Sequence, residues 1–304
     1  MNHGKAKSQT ISVVVLTFNE AARIRPCLES VRWADQIVVV DGHSTDETVS
    51  IAKEYTPNVF LSNLLGPENP GGFAAQRNFA IDKASGDWIF FLDADERVTP
   101  ELEQGITMTI LGDAEEGHDV YRIKRLEHFF GVASPYTHGE SWHDRIVRRG
   151  AGRYDGRLVH ETLAFDGSRG EVPGLLLHYS KDTVTQYVDT MNKYTSLEAQ
   201  EMMSRGAPLP SNPWRSMMHA FFYRYFYLRS YREGTFGLLM CLMLTFYQYL
   251  TWAKYWELCK DSGRVPGTAP AAISTRVTGY ALSSVWRGAG QLKRWSLAAV
   301  RPKR

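Results

Sequence analysis

Two aspartates, Asp93 and Asp95, follow the apolar run Trp88-Ile89-Phe90-Phe91-Leu92. That run is short, aromatic and uncharged, as suits a central strand of a sheet. On extended chain, residues two apart project to the same side, so both carboxylates are expected to face one ligand. Paired oxygen ligands at a strand end suit a hard divalent cation such as Mg2+ or Mn2+. A lone Asp-x-Asp is more often a cap and a solvated turn. The elements that position the pair decide between the two readings.

Residues 11–16 are a β-branched run, read as a first buried strand, and it ends at Thr17-Phe18-Asn19-Glu20. The next helix is expected to start at Pro26, whose missing N–H costs nothing at a first helical position. A second strand, residues 36–40, ends at Asp41. The turn at residues 42–46 leads to a helix over residues 47–55, with Asp46 as its N-cap. Residues 59–61 form a weak third strand and residues 73–84 a helix, and then comes the Trp88 strand. Strands alternating with helices predict a mostly parallel α/β sheet with right-handed crossovers. Ligands of such sheets bind beyond the carboxyl ends of the strands. Three polar clusters, Thr17–Glu20, Asp41–Asp46 and Asp93–Asp95, therefore converge on one edge. This convergence favours chemistry at Asp93 and Asp95 over a plain turn. For Asp46, Ser44 and Thr45, turn and cap duty is the stronger reading.

Four segments in order, Val14-Val15-Leu16-Thr17-Phe18-Asn19-Glu20, Val39-Val40-Asp41-Gly42-His43-Ser44-Thr45-Asp46-Glu47-Thr48, Gln76-Arg77-Asn78 and Phe91-Leu92-Asp93-Ala94-Asp95, resemble the family 2 inverting glycosyltransferases of GT-A fold. The region 142–149, the triplet Val159-His160-Glu161, Pro213-Trp214-Arg215 and residues 253–257 resemble the bacterial lipopolysaccharide-core β-1,4-glucosyltransferase type. The resemblance implies a Rossmann-like central sheet flanked by helices and a UDP-sugar donor. It also implies a glycolipid acceptor such as the lipopolysaccharide inner core. Asp41 is then expected to meet the uracil imide. Thr17, Asn19 and Glu20 would hold base and ribose, and Arg77 would meet phosphate or ribose. Asp93 and Asp95 would hold the divalent metal, and His160 would serve as a third ligand or as an orienting group. Gly42 stands where many relatives carry a second acid, which loosens the expectation about the base.

Inversion requires a base that takes the acceptor proton across the sugar from the diphosphate. Glu161 and Asp144 are the candidates, and a structural carboxylate is the bland alternative for each. Asp144 has Arg145, Arg148 and Arg149 beside it in sequence, which would weaken it as a base, so Glu161 is preferred. Trp142 is either a sugar-stacking or a core residue. His178, inside Leu175-Leu176-Leu177-His178-Tyr179, reads as a satisfied buried histidine. Arg145, Arg148, Arg149, Arg153 and Arg157 read equally as a solvated face or as contacts to an anionic acceptor.

Charge divides the chain. The first 204 residues carry 20 Lys+Arg against 30 Asp+Glu, and the last 100 carry 15 against 3. An acidic body with a basic, aromatic end suggests an anionic surface as partner. Cys27, Cys241 and Cys259 form no metal spacing and no disulfide framework, which favours a reducing compartment. The first ten residues show no secretory leader. Three segments are expected: a GT-A catalytic domain over 1–206, an aromatic amphipathic helical region over 207–262 and a basic tail over 263–304. Residues 183–204 read as an amphipathic helix and residues 214–232 as an aromatic one. Residues 234–253 carry no charge and are long enough to cross a bilayer. Basic flanks on both sides give no preferred side, so a helix lying in the membrane plane fits better. A helical cap or a dimer interface is the plain alternative. No recognition motif for nucleic acid is present.

Taken together, the sequence predicts a metal-dependent hexosyltransferase, glucose being the favoured sugar. It would be peripheral or monotopic on the cytoplasmic side of the inner membrane. Transfer to polyprenyl phosphate and non-catalytic binding of a sugar nucleotide are the competing readings. A phosphatase built on Asp-x-Asp is disfavoured, because Arg97 stands where that chemistry wants Thr or Val.

Overall fold

A computed structural model describes residues 9–64, 72–111, 117–155, 163–209 and 212–262. His160, Glu161, Arg157 and the tail 263–304 lie outside the described residues.

In chain order the elements are β1 (Ile11–Thr17), α1 (Ala21–Glu29), β2 (Gln36–Asp41), α2 (Thr48–Lys53), β3 (Val59–Leu61), α3 (Gly72–Lys83), β4 (Trp88–Asp93), β5 (Glu96–Val98) and α4 (Pro100–Ile106). There follow β6 (Val120–Phe129), β7 (Val132–Ala133), β8 (Glu140–Arg148), β9 (Gly152–Tyr154), β10 (Leu163–Phe165), β11 (Arg169–Lys181), α5 (Val184–Ser204), α6 (Pro213–Phe222) and α7 (Gly234–Asp261). The main sheet runs β3-β2-β1-β4-β8-β6-β11-β5, with β7 paired to β6. The expected α/β architecture is present. β3, β2, β1 and β4 are parallel, and β6 and β11 are parallel to each other further along.

β1 is buried along its whole length because helices cover both faces of the sheet, and so it reads as an unbroken apolar run rather than an alternating one. Val13, Val15, Phe90 and Leu92 pack with Ile24, Cys27 and Leu28 of α1 on one face. Val14, Leu16 and Phe91 pack with Ala80 and Ile81 of α3 on the other. Trp88 to Leu92 are each at most 1% exposed. At about 2 kcal/mol for each large side chain buried, β4 is a principal anchor of the fold.

Three expectations change. Pro26 lies inside α1, not at its start. Helix initiation is supplied earlier: the Asp46 carboxylate accepts from the Ala21 N–H and Thr48 Oγ1 accepts from the Glu20 N–H. The chain also leaves extended geometry at Asp93. Ala94 and Asp95 form a turn into β5, closed by the Glu96 carboxylate accepting from the Asp93 N–H at 3.0 Å. The two aspartates therefore do not share a direction. Finally, the helix expected over 214–232 stops at Phe222. One π-turn follows, then a corner with Arg229 and Gly234 at φ 61° and 62°, from which α7 departs.

α7 runs 28 residues and is long and apolar enough to cross a membrane. One face of it is taken by protein. Lys254 Nζ donates to Asn192 O, Asn192 Oδ1, Thr195 Oγ1 and Ser196 Oγ of α5 at 2.6–2.8 Å. Tyr255 donates to the Ala207 carbonyl, and its ring packs with Ala199 and Cys259. The outer face leaves Leu238, Leu239, Leu242, Phe246 and Trp256 exposed, beside Trp214, Met218, Phe222, Phe226 and Tyr227.

Candidate active site

The carboxyl ends of β1, β2, β4, β6 and β11 share one edge, and the polar clusters meet there. At the β1 and β2 ends, Asn19 sits at φ 54°, a left-handed conformation that asparagine tolerates. Its Oδ1 accepts from the Thr45 N–H at 2.7 Å, and its own N–H donates to Ser44 Oγ. Ser44 in turn donates through N–H and Oγ to the two oxygens of Asp41, at 2.7 and 2.5 Å. Ser44 and Thr45 are turn residues and lock the two strand ends together; Asp46, expected as the N-cap, lies one residue before the observed N-cap Glu47, its carboxylate accepting from the N–H groups of Thr48 and Ala21. Asp41 is fully buried at the bottom of this turn. Thr17 is 4% exposed, and its hydroxyl has no partner. Burial raises the Glu20 carboxyl above its ordinary range.

At the β4 end, Asp93 accepts from Arg77 at 3.3 Å through one oxygen and from Arg145 at 3.1 Å through the other. Burial alone would raise its pKa, but Arg145 and Arg77 overturn that and hold the carboxyl well below the usual range. Asp93 is thus an anion shared by two guanidinium groups and is not an open metal ligand. Arg77 lies over the rings of Tyr154 and Phe91, at 5.2 and 5.9 Å from their centroids, which fixes its plane. Beneath it, the fully buried Glu96 accepts from Arg145 at 2.5 Å and from Arg125 at 3.4 Å.

Asp95 faces elsewhere. Its Oδ2 lies 3.2 Å from His178 Nε2, and His178 Nδ1 lies 2.6 Å from Glu127 Oε2. Arg125 pairs with Glu127 at 2.8 Å. Burial works against the charged form of both partners. Mutual hydrogen bonding and charge prevail, lifting His178 to about 9 and holding Glu127 at about 2. His178 is a satisfied histidine, as its sequence context suggested, but it is satisfied inside the site. Glu96, Arg125 and Glu127 were not expected there. Glu127 and His178 meet because β6 and β11 run parallel in register, pairing residues 51 apart in sequence.

The Asp95 carboxylate could hold a metal here, and the His178 imidazole could join it only by giving up the proton it shares with Asp95. One oxygen and one nitrogen ligand fit Mg2+ or Mn2+ that completes its shell with water and substrate phosphate. Among the described residues no group of three His, Cys, Asp or Glu could hold a metal ion without such help.

Asp144 is held by Arg169, with Nε–Oδ1 at 2.8 Å and Nη2–Oδ2 at 2.9 Å. The basic segment around it is no single surface. Arg145 turns inward to Asp93 and Glu96, Arg148 lies over Trp88, and Arg153 pairs with Asp82. Trp142 carries Arg122 and Lys124 over its ring, at 5.1 and 5.4 Å.

Residues 12–129 match the glycosyl transferase family 2 model. The chain is a glycosyltransferase, with a mixed α/β sheet flanked by helices and a C-terminal helical extension. Its relatives agree. It is 29% identical over 251 residues to the lipopolysaccharide core biosynthesis glycosyltransferase LpsC of Rhizobium meliloti, covering 81% of this chain and 92% of that one. It is 27% identical over 267 residues to an uncharacterized glycosyltransferase of Rickettsia prowazekii, covering 84% and 89%. Among solved structures, glucosyl-3-phosphoglycerate synthase of Mycobacterium tuberculosis, in complex with Mn2+, UDP and glucosyl-3-phosphoglycerate, aligns at 26% identity and a TM-score of 0.31. That alignment spans 40% of this chain and 44% of that one. S. aureus TarS aligns at 19% identity and a TM-score of 0.37, over 74% and 46%.

Proposed function

We propose that this chain moves a hexose, glucose first, from a UDP-sugar to a membrane glycolipid such as the lipopolysaccharide inner core. The transfer inverts the anomeric centre and needs a divalent metal. The observation that carries the reading is the meeting, at one sheet edge, of the Asp95–His178 pair with the buried Asp93–Arg77–Arg145 cluster and the Asp41–Asn19 turn. That edge sets hydrogen-bonding side chains for base and ribose beside a strongly charged cluster for a diphosphate.

The acceptor hydroxyl attacks the anomeric carbon as the bond to the diphosphate breaks, and UDP departs with the electron pair. Thr17, Asn19, Glu20 and Asp41 hold the nucleoside. Arg77, pinned between Asp93 and two rings, orients a phosphate or ribose oxygen without a rotamer search at the moment of reaction. Asp95 and His178 would hold the cation, which when bound neutralises charge developing on the diphosphate. Glu161 takes the acceptor proton. Asp144 is the second candidate, and its bidentate pairing with Arg169 favours Glu161. His160 remains a further possible metal ligand by resemblance.

The C-terminal region carries the enzyme to the cytoplasmic leaflet. Polar α5 clamps one face of α7, so a spanning α7 would drag α5 into hydrocarbon, whereas an α7 lying in the interface leaves α5 in water. The anionic leaflet attracts the +12 charge of the last 100 residues. The deciding experiment incubates the full chain with a panel of UDP-sugars and core-truncated lipopolysaccharides and weighs the products. UDP release in Mn2+ that persists undiminished in Asp95→Ala with chelator present would overturn the reading.

A further inference from the structure

Arg224, in the π-turn after α6, is 3% exposed. Its Nη1 is buried and has no hydrogen-bond partner among the described residues. The groups acting on its charge are Cys241, Tyr187 and Tyr223, none of them a carboxylate. The tail 263–304 contains no Asp or Glu that could serve. A guanidinium nitrogen buried without an acceptor is costly in a protein interior, and more so where the group carries charge. Arg145, the other buried arginine among the described residues, has two acids, Asp93 and Glu96.

The position of Arg224 is informative. Its charge acts on His138, which also feels Glu127, the carboxylate bonded to His178. His138 packs against Phe129 at 4.4 Å, and Phe129 packs against Tyr187 at 5.7 Å. Phe129 closes β6 at the catalytic edge. Phe130 and Gly131, at φ 56° and 76°, make the tight turn into β7. Arg224 thus stands between that edge and the outward apolar face of α6 and α7. Burial keeps Tyr187 protonated, with its hydroxyl pushed up to about 12, so it can donate. His138, held neutral by burial, adds no competing charge. Glu127 and Glu233 lie near, but both are engaged elsewhere, Glu127 by His178 and Arg125 and Glu233 by Tyr136 and Thr137, which leaves the Arg224 charge for an incoming anion.

We propose that Arg224 is the core of an anion site that takes a phosphate group carried by the acceptor, on the membrane side of the catalytic edge. This rests on the glycolipid reading above and adds a residue that selects phosphorylated acceptors. A charge-assisted, forked contact of this kind is worth about tenfold to a hundredfold in affinity.

The test compares the full chain with Arg224→Gln and Arg224→Lys on one acceptor, native or enzymatically dephosphorylated. For the native enzyme, KM is expected to be at least tenfold lower for the phosphorylated acceptor. Arg224→Gln erases that difference while kcat and the KM for UDP-sugar stay unchanged, and Arg224→Lys restores part of it. Calorimetric binding of the two acceptors without donor gives the same ranking independently of turnover. Arg224-dependent binding without any sugar transfer would sink the function above and leave this site standing. A change in Arg224→Gln that is equal for both acceptors, or protection by anionic phospholipid vesicles alone, would overturn the site. Should Arg224→Gln not fold, Arg224→Lys carries the comparison, since a lysine that leaves the phosphate preference whole refutes the forked contact.

Discussion

Asp95 and Asp93, two residues apart, have different duties, and substitution should separate them. Asp95→Ala and His178→Ala each remove a metal donor. Both are expected to lower turnover by a factor of a hundred or more and to weaken Mn2+ binding measured by calorimetry; His178→Ala also strips Glu127 of its buried partner and should destabilise the fold. Glu96→Gln should do the reverse. It leaves Arg145 and Arg125 short of a buried counter-charge, and it should cost about 3–5 kcal/mol in urea unfolding. The sequence made Asp95 legible because its motif is local. Glu96 and Glu127 were not legible, because their meaning lies in partners 49 and 51 residues away that only strand register supplies. His178 shows the same limit. Its apolar setting was read correctly as burial, but nothing in Leu-Leu-Leu-His-Tyr tells which carboxylates lie across the sheet.

Elements that repeat a local pattern were recovered well: β1, β2, β4, α3 and α5 lie within a residue or two of where periodicity puts them. What failed was punctuation. Pro26 suggested a helix start, but the Asp46 and Thr48 side chains of a neighbouring turn begin α1 earlier. The corner before α7 was invisible because Arg229, not glycine, takes the first left-handed conformation. That corner is tight. A Cβ on Gly237 would fall 1.9 Å from the Ser230 carbonyl oxygen. Gly237→Ala should therefore force α7 from the corner and cost about 1–3 kcal/mol in thermal or urea unfolding. Leu242→Glu together with Phe246→Glu, both on the exposed face, should abolish flotation with anionic vesicles while leaving UDP-sugar hydrolysis in solution intact.

At the scale of the molecule, the histidines set a pH optimum for folding. His138 and His143 are depressed by burial to about 4 and about 3, so the stability they confer is complete above the ordinary value of 6.5 and is lost as pH falls towards 4. His178 is raised to about 9, so its contribution is complete below 6.5 and is lost as pH rises through 9. In metal-free buffer the melting temperature is expected to peak near pH 6.5. His178→Asn should flatten the alkaline side alone.

One further consequence belongs to Glu233, which ends the corner before α7. Its carboxylate accepts from the Tyr136 N–H at 2.7 Å, the Thr137 N–H at 3.0 Å and Thr137 Oγ1 at 2.5 Å. The loop it grips runs from β7 to β8, beside the catalytic edge. Helices and loop are thereby fastened at a fixed separation. On the proposed seating of the apolar face of α7 in the headgroups, that fastening would act as a ruler. It would set the height above the bilayer at which a sugar can be added, so the enzyme would choose its acceptor by the distance of a hydroxyl from the lipid as well as by its chemistry.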